Sequence, residues 1–144
     1  MNTIIVVDTN VFVSALISKE GASRQVLRRC LKGVYKPLMG AALYWEYEHL
    51  LQRKNVIERS PLTETEMAAL LDAFISVCLW TPLYYLWRPN LRDEGDNHVL
   101  ELAVGGNASA IVTHNKRDFM QGELLFPRIQ ILTPKELLQA SEEE

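Results

Sequence analysis

The chain has 144 residues, 48% of them hydrophobic, and a formal net charge of −3. That length fits one domain of ordinary size with a real core, expected over residues 1–140 with a frayed acidic tail at 141–144. The net charge means that a polyanionic partner must find a local basic patch rather than a uniformly basic surface. No apolar run reaches the roughly 20 residues of a bilayer span, and the start lacks the basic, apolar and small-residue order of a secretory leader. Cys30 and Cys78 sit inside apolar helical patterns and read as small buried hydrophobes rather than a disulfide framework, so a reducing cytoplasm is the expected location.

Residues 3–8 read as the first strand, because Ile4-Ile5-Val6-Val7 is a run of β-branched residues of the kind buried on both faces of a parallel sheet. The run stops at Asp8. An acid there sits where open α/β sheets bind their ligands; the simpler alternative is that Asp8 only caps the next turn. Asn10 is the expected N-cap of a helix over 11–18. A second helix, 22–33, carries Val26, Leu27, Cys30 and Leu31 on one face and Arg24, Arg28, Arg29 and Lys32 on the other, with Gly33 as its stop. Residues 36–40 form a turn and short strand. A third helix runs from 42 to 54, with Glu46 on the same side as Leu43, Tyr47, Leu50 and Leu51, and with Glu48, Gln52 and Arg53 outward.

Thr63 followed by Glu66 has capping-box spacing and opens a helix to about Val77. Leu79 to Pro82 reads as a brief edge strand, and 83–92 as irregular. Asp96 or a neighbour starts a helix that buries Val99, Leu100, Leu102 and Ala103 and ends at Gly105-Gly106. Ala110 to Thr113 is a short buried strand, His114 to Phe119 a loop or helical turn, and 129–132 a last strand. Thr133 as N-cap and Pro134 at the first position open a terminal helix. Alternating strands and helices imply a central parallel sheet covered on both sides.

Of the five aspartates, only Asp72 looks like an ordinary helix-surface acid. Asp8 and Asp118 follow predicted strand ends, and Asp96 begins a helix on the same rim. Glu46 projects from the core side of its helix, where a lone carboxylate is costly. Like charges brought together repel unless cations neutralise them. Carboxylates without a His or Cys cluster are the ligand set of magnesium or manganese, and His49, His98 and His114 lack zinc spacing. A pair of divalent ions about 3.5–4 Å apart activates water and stabilises the leaving oxygen of a phosphodiester. Metal-dependent phosphodiester hydrolysis is therefore the chemistry the acids favour.

The blocks VVDTNVFVSAL, WEYEHLL, DEGDNHVLELA and AIVTHNKRDF, in that order, resemble the PIN-domain family, and most of all its toxin-type (VapC-like) ribonucleases. The resemblance runs from about Ile4 to Leu138. It implies a three-layer α/β/α sandwich, cleavage of RNA with Mg²⁺ or Mn²⁺ (one ion or two), a homodimer, and an inhibitory antitoxin partner. By motif the metal-binding acids fall on Asp8, Glu46 and Asp96, with Asp93 one turn earlier as an assistant. The fourth block often reads T-x-D; here that slot is Asn115, so the fourth acid is placed at Asp118. Asn10, Thr113 and Asn115 match polar positions that orient the acids or a bound water, and Lys116 and Arg117 fall at the rim as phosphate contacts.

Each assignment has a plainer alternative. Glu46 is a surface acid beside Glu48 if the helix phase is slipped; Asp93 is a turn residue; Asp118 caps the turn before Phe119. The Arg24, Arg28, Arg29 and Lys32 face is more often solvated than an RNA track, and Tyr84, Tyr85 and Trp87 pack at an edge or interface rather than stack on bases. Three rival functions exist. An aspartyl phosphatase needs a second Asp where Asn10 stands, a phospho-acceptor receiver needs a missing acid pair beside the first strand, and a PIN-like domain that binds RNA or protein without cutting is kept open by Asn115.

Overall fold

The computed structural model describes residues 3–82, 97–119 and 126–142. Among these, five strands form one parallel sheet: β1 (Thr3–Val7), β2 (Tyr35–Met39), β3 (Leu79–Trp80), β4 (Ala110–Val112) and β5 (Gln130–Leu132), ordered β3-β2-β1-β4-β5. The helices are α1 (Thr9–Ile17), α2 (Ala22–Leu31), α3 (Ala41–Leu50), α4 (Lys54–Arg59), α5 (Glu64–Val77), α6 (Asn97–Gly105) and α7 (Pro134–Glu142). Helix α6 packs on β1, β2 and β4, α2 on β2, α5 and α7, and α1 on α2, α3 and α4. The result is the expected three-layer α/β/α sandwich.

The β-branched run is the centre of the sheet. Ile5 and Val6 are fully buried and Val7 nearly so, with Ile5 opposite Pro37 on one side and Ala110 on the other. Pro37 has no N–H to give to a ladder, and β3 pairs with β2 only beyond it, at Leu38 and Met39. Under the sheet the apolar faces of α1, α3 and α5 meet in three rings. Phe12 lies edge-on to Tyr47 at 5.2 Å, and Phe74 lies 5.7 Å from Phe12 and 5.6 Å from Tyr47.

Local signals set most element ends. Thr63 and Glu66 exchange their backbone and side-chain hydrogen bonds as the spacing predicts, and Thr133 and Glu136 do the same ahead of α7. Gly33 follows α2 with φ +83°, a conformation that disfavours any residue with a Cβ. At Gly106 a Cβ would run into the Leu38 side chain and lie 3.2 Å from the Leu102 carbonyl oxygen, so glycine suits the close approach of the end of α6 to β2.

Four expectations are corrected. The N-cap of α1 is Asp8, not Asn10: Asp8 is extended and its Oδ1 accepts from the Thr9 amide at 2.8 Å, which leaves the Asn10 side chain free to turn back. The helix expected over 42–54 is two helices. Gln52 and Arg53 bond back three residues to the His49 and Leu50 carbonyls, tightening the last turn of α3, and α4 then redirects the chain so that Val56 is buried. Arg24 is not on a solvated face; it is buried, and its Nε donates to the Ala15 carbonyl at 2.7 Å, one of the unpaired carbonyls at the end of α1. Ser141 is not frayed but helical, in contact with the Tyr35 hydroxyl at 2.8 Å.

Phe12→Ala is expected to destabilise the chain by about 3–5 kcal/mol, the range for emptying an aromatic site in a packed core. Urea unfolding followed by circular dichroism checks this, and a loss below about 1 kcal/mol would show that the three rings are not the centre of the core.

Candidate active site at the carboxyl rim of the sheet

The strand order reverses beside β1, whose neighbours are β2 on one side and β4 on the other. Parallel sheets bind ligands at such a switch point, outside the carboxyl ends of the strands. Val7 pairs with Val112, so the next residues, Asp8 and Thr113, emerge side by side at that crevice. Both are buried, Asp8 at 6% exposure and Thr113 at 0%.

Their side chains are joined. The Thr113 hydroxyl donates to Asp8 Oδ2 at 2.8 Å, and Asn10 Nδ2 lies 3.2 Å from the same oxygen and 3.3 Å from the Thr113 hydroxyl. The Asn115 amide donates to that hydroxyl at 3.0 Å, and the His114 amide to Asn10 Oδ1 at 3.2 Å. A hydroxyl has one proton and two lone pairs, so Thr113 is saturated. An ionised carboxylate has about four lone-pair positions. Asp8 accepts three hydrogen bonds from the named donors, with one position of Oδ1 unfilled by them.

Glu46 reaches the same region from α3. Tyr47 anchors that helix, its buried hydroxyl donating to the Val7 carbonyl at 2.6 Å, one residue before Asp8. Glu46 is only partly buried, and its Oε1 lies 2.6 Å from His98 Nε2 at the start of α6. Burial pushes the Asp8 carboxyl above its ordinary value of 3.8, and the negative charge of Glu46 adds to this; the Thr113 and Thr9 hydrogen bonds and the charge of His98 act the other way and do not overcome it. A cleft of about 390 Å³ adjoins His98, lined among others by Gly40, Trp80, Pro82 and Glu101.

The other expected residues lie as follows. Asn115 is exposed and takes part through its backbone. Lys116 Nζ is held by both oxygens of Glu136, at 3.0 and 3.2 Å, and Arg117 is exposed. Asp118 is half-buried in a 3-10 turn at Lys116–Phe119, where its amide donates to the Asn115 carbonyl at 3.1 Å. Asp93, Asp96, Tyr84, Tyr85 and Trp87 lie outside the described residues. Among the described residues, no three acidic, histidine or cysteine side chains form a group able to hold a metal ion. Two further pairings here, His98 with Glu46 and Ser23 with His114 Nε2 at 3.1 Å, have no signal in the sequence. Each joins residues far apart in the chain, and no local pattern signals either.

A family model described as the PIN domain matches residues 4–117, and the chain belongs to the PIN-domain family. The match spans Asp8, Glu46, Asp96 and Asn115 and ends one residue before Asp118. The crystal structure of VapBC2 from Rickettsia felis, bound to a DNA fragment from their promoter, contains a chain with the same fold: TM-score 0.57 and 15% identity, covering 91% of this chain and 98% of that one. No curated protein sequence matches the chain.

Thr113→Val keeps the shape and removes the hydroxyl. Asp8 Oδ2 then loses its shortest donor, so the Asp8 carboxyl is expected to titrate higher still, and stability to fall by about 1.5–3 kcal/mol. Carboxyl NMR titration and denaturant unfolding check both; an unmoved Asp8 midpoint would mean that the pairing is not the one described.

Proposed function

We propose that this chain is a divalent-metal-dependent endoribonuclease, hydrolysing RNA phosphodiester bonds as the toxin of a toxin–antitoxin pair. The observation that carries the reading is Asp8: a buried carboxylate at the switch point, oriented by Thr113 and Asn10, destabilised in its charged form and facing a second acid on α3. The donors suit Mg²⁺ or Mn²⁺, because they are hard oxygens and Asp8 has a coordination position to spare. Asp8, Glu46, Asp96 and Asp118 are the proposed ligands, with Asp93 assisting. A bound divalent ion supplies an activated water and draws charge from the phosphoryl oxygens.

The rest of the proposed work belongs to side chains. Asn10 and Thr113 fix the Asp8 carboxylate, and the Asn115 amide fixes the Thr113 hydroxyl. One carboxylate accepts the proton of the attacking water. Arg117 meets the RNA backbone from the rim, and Lys116 joins it by leaving Glu136. The proposed partners are RNA, an antitoxin protein and a second copy of the chain, with the cytoplasm as the location. Support for the antitoxin is the shared fold with a chain of the VapBC2 complex. The rival is a PIN-like domain that binds without cutting. It is favoured by Asn115 in the slot of the fourth acid and by His98 already occupying Glu46.

Asp8→Asn is expected to reduce cleavage of short RNAs in Mn²⁺ to the no-enzyme baseline, while Thr113→Val costs about 10- to 100-fold, as for residues that orient a metal ligand. Gel assays with and without chelator check this, and full chelator-sensitive activity in Asp8→Asn would remove the assignment.

Binding has its own readout. At a hundredfold excess over its dissociation constant, Mn²⁺ should stabilise the wild type by about 2.7 kcal/mol and Asp8→Asn by much less. The raised pKa sets the pH sign. Without metal, the charge on Asp8 weighs against the folded state above its folded pKa, and that burden disappears as pH falls toward 3.8. The gain from Mn²⁺ should therefore be largest near neutrality and shrink on acidification, as protons take the carboxylate. Thermal unfolding across pH measures it; a gain indifferent to pH, or retained by Asp8→Asn, would contradict the site.

A further inference from the structure

We propose that Trp45 is a stacking platform for a base of single-stranded RNA, placed beside the acids by the same helix that carries Glu46. The proposal rests on the ribonuclease reading for its choice of ligand. Trp45 is 61% exposed, the most exposed of the large hydrophobic residues described. Leu43, Tyr47 and Leu50 bury one face of α3, and the indole stands in water away from it. The ring is not loose. It lies on the His49 imidazole, with centroids 4.0 Å apart and planes 34° apart, and His49 Nδ1 lies 2.7 Å from the Trp45 carbonyl. One face of the indole is backed, and the side chain still presents most of its surface outward.

Its surroundings select the occupant. Trp45 directly precedes Glu46 on α3, and the two leave the helix about 1.5 Å apart along its axis and about 100° apart around it. Arg53 and Lys54, where the chain leaves α3 for α4, are exposed and supply positive charge for phosphates. Tyr44, on the other side, turns to Trp80 at 5.4 Å, and Glu48 bears on Tyr44, raising its phenol. Aromatic side chains followed by basic ones are how proteins hold single strands without reading sequence, because every base has a face to stack. A protein partner would also accept an exposed tryptophan; the exposed Arg53 and Lys54 favour a polyanion, drawn past Glu46 toward the proposed metal site.

The test is binding of a fluorescent single-stranded oligoribonucleotide at low salt in chelator, where metal-dependent cleavage is blocked. It uses the wild-type chain, Trp45→Ala and Trp45→Phe, with an abasic strand of equal length as control. Trp45→Ala is expected to weaken binding of the base-bearing strand by about fivefold to 150-fold. Trp45→Phe should keep most of the affinity, and the abasic strand should bind all variants alike. In Mn²⁺ the alanine variant should raise KM far more than it lowers kcat. Equal losses on both strands, no loss on either, or a wild type that binds no RNA would each overturn the platform. So would conversion of a dimer to a monomer by Trp45→Ala with RNA binding unchanged, which would make the surface a protein interface. Cleavage without the contrast between strands removes the platform and leaves the nuclease; the contrast in a chain that never cleaves removes the nuclease and leaves an RNA surface.

Discussion

The hydrogen bond from Thr113 to Asp8 is the point on which the site depends. It exists because β1 and β4 are parallel neighbours in one register, with Val7 opposite Val112. A slip by one residue would send the Thr113 side chain to the other face and leave a buried carboxylate without its strongest partner. Two more elements are tied to the same spot. Asp8 caps α1 through Thr9, and Tyr47 fastens α3 to the Val7 carbonyl. The central strand, the first helix and the helix bearing Glu46 therefore converge within a residue or two of one carboxylate.

That convergence leaves a charge imbalance. Burial disfavours the ionised form of Asp8, Glu46 adds repulsion, and the local hydrogen bonds only offset part of it. Glu46 Oε1 in turn meets His98 Nε2 at 2.6 Å. A buried, oriented and incompletely neutralised carboxylate is a poor structural device and a good cation ligand. The contrast with Glu136 is useful. That acid is half exposed, capped by Thr133 and paired with Lys116, and its carboxyl is held below the usual range chiefly by the Thr133 backbone hydrogen bond. One carboxylate is satisfied by the protein; the other is not.

Much of this was legible in the sequence, for local reasons. The β-branched run defined the central strand, and a capping box at Thr63 and an N-cap at Thr133 followed by Pro134 marked two helix starts. The apolar spacing Val99, Leu100, Leu102, Ala103 gave the buried face of α6. Asp8 stood out as an acid ending a buried strand, with a capping role as the plain alternative, and it does cap α1. What failed was decided by tertiary contact. Nothing in Leu51-Gln52-Arg53-Lys54 signals a break between α3 and α4; the burial of Val56 does. Arg24 looks solvated by helical phase and is buried because α1 ends beside it. The pairing of Glu46 with His98 spans 52 positions and has no periodicity to betray it. Lys116 looked like a free rim cation and is held by an acid that only the fold brings near.

The most direct measurement is anomalous diffraction from crystals of the wild-type chain soaked in Mn²⁺. A manganese peak is predicted at coordination distance, about 2.1 Å, from Asp8 Oδ1, with Glu46 and Asp96 supplying further oxygens. Saturating Mn²⁺ with no peak at Asp8, or a peak held only by acids elsewhere on the surface, would contradict the claim that these carboxylates form one cation site.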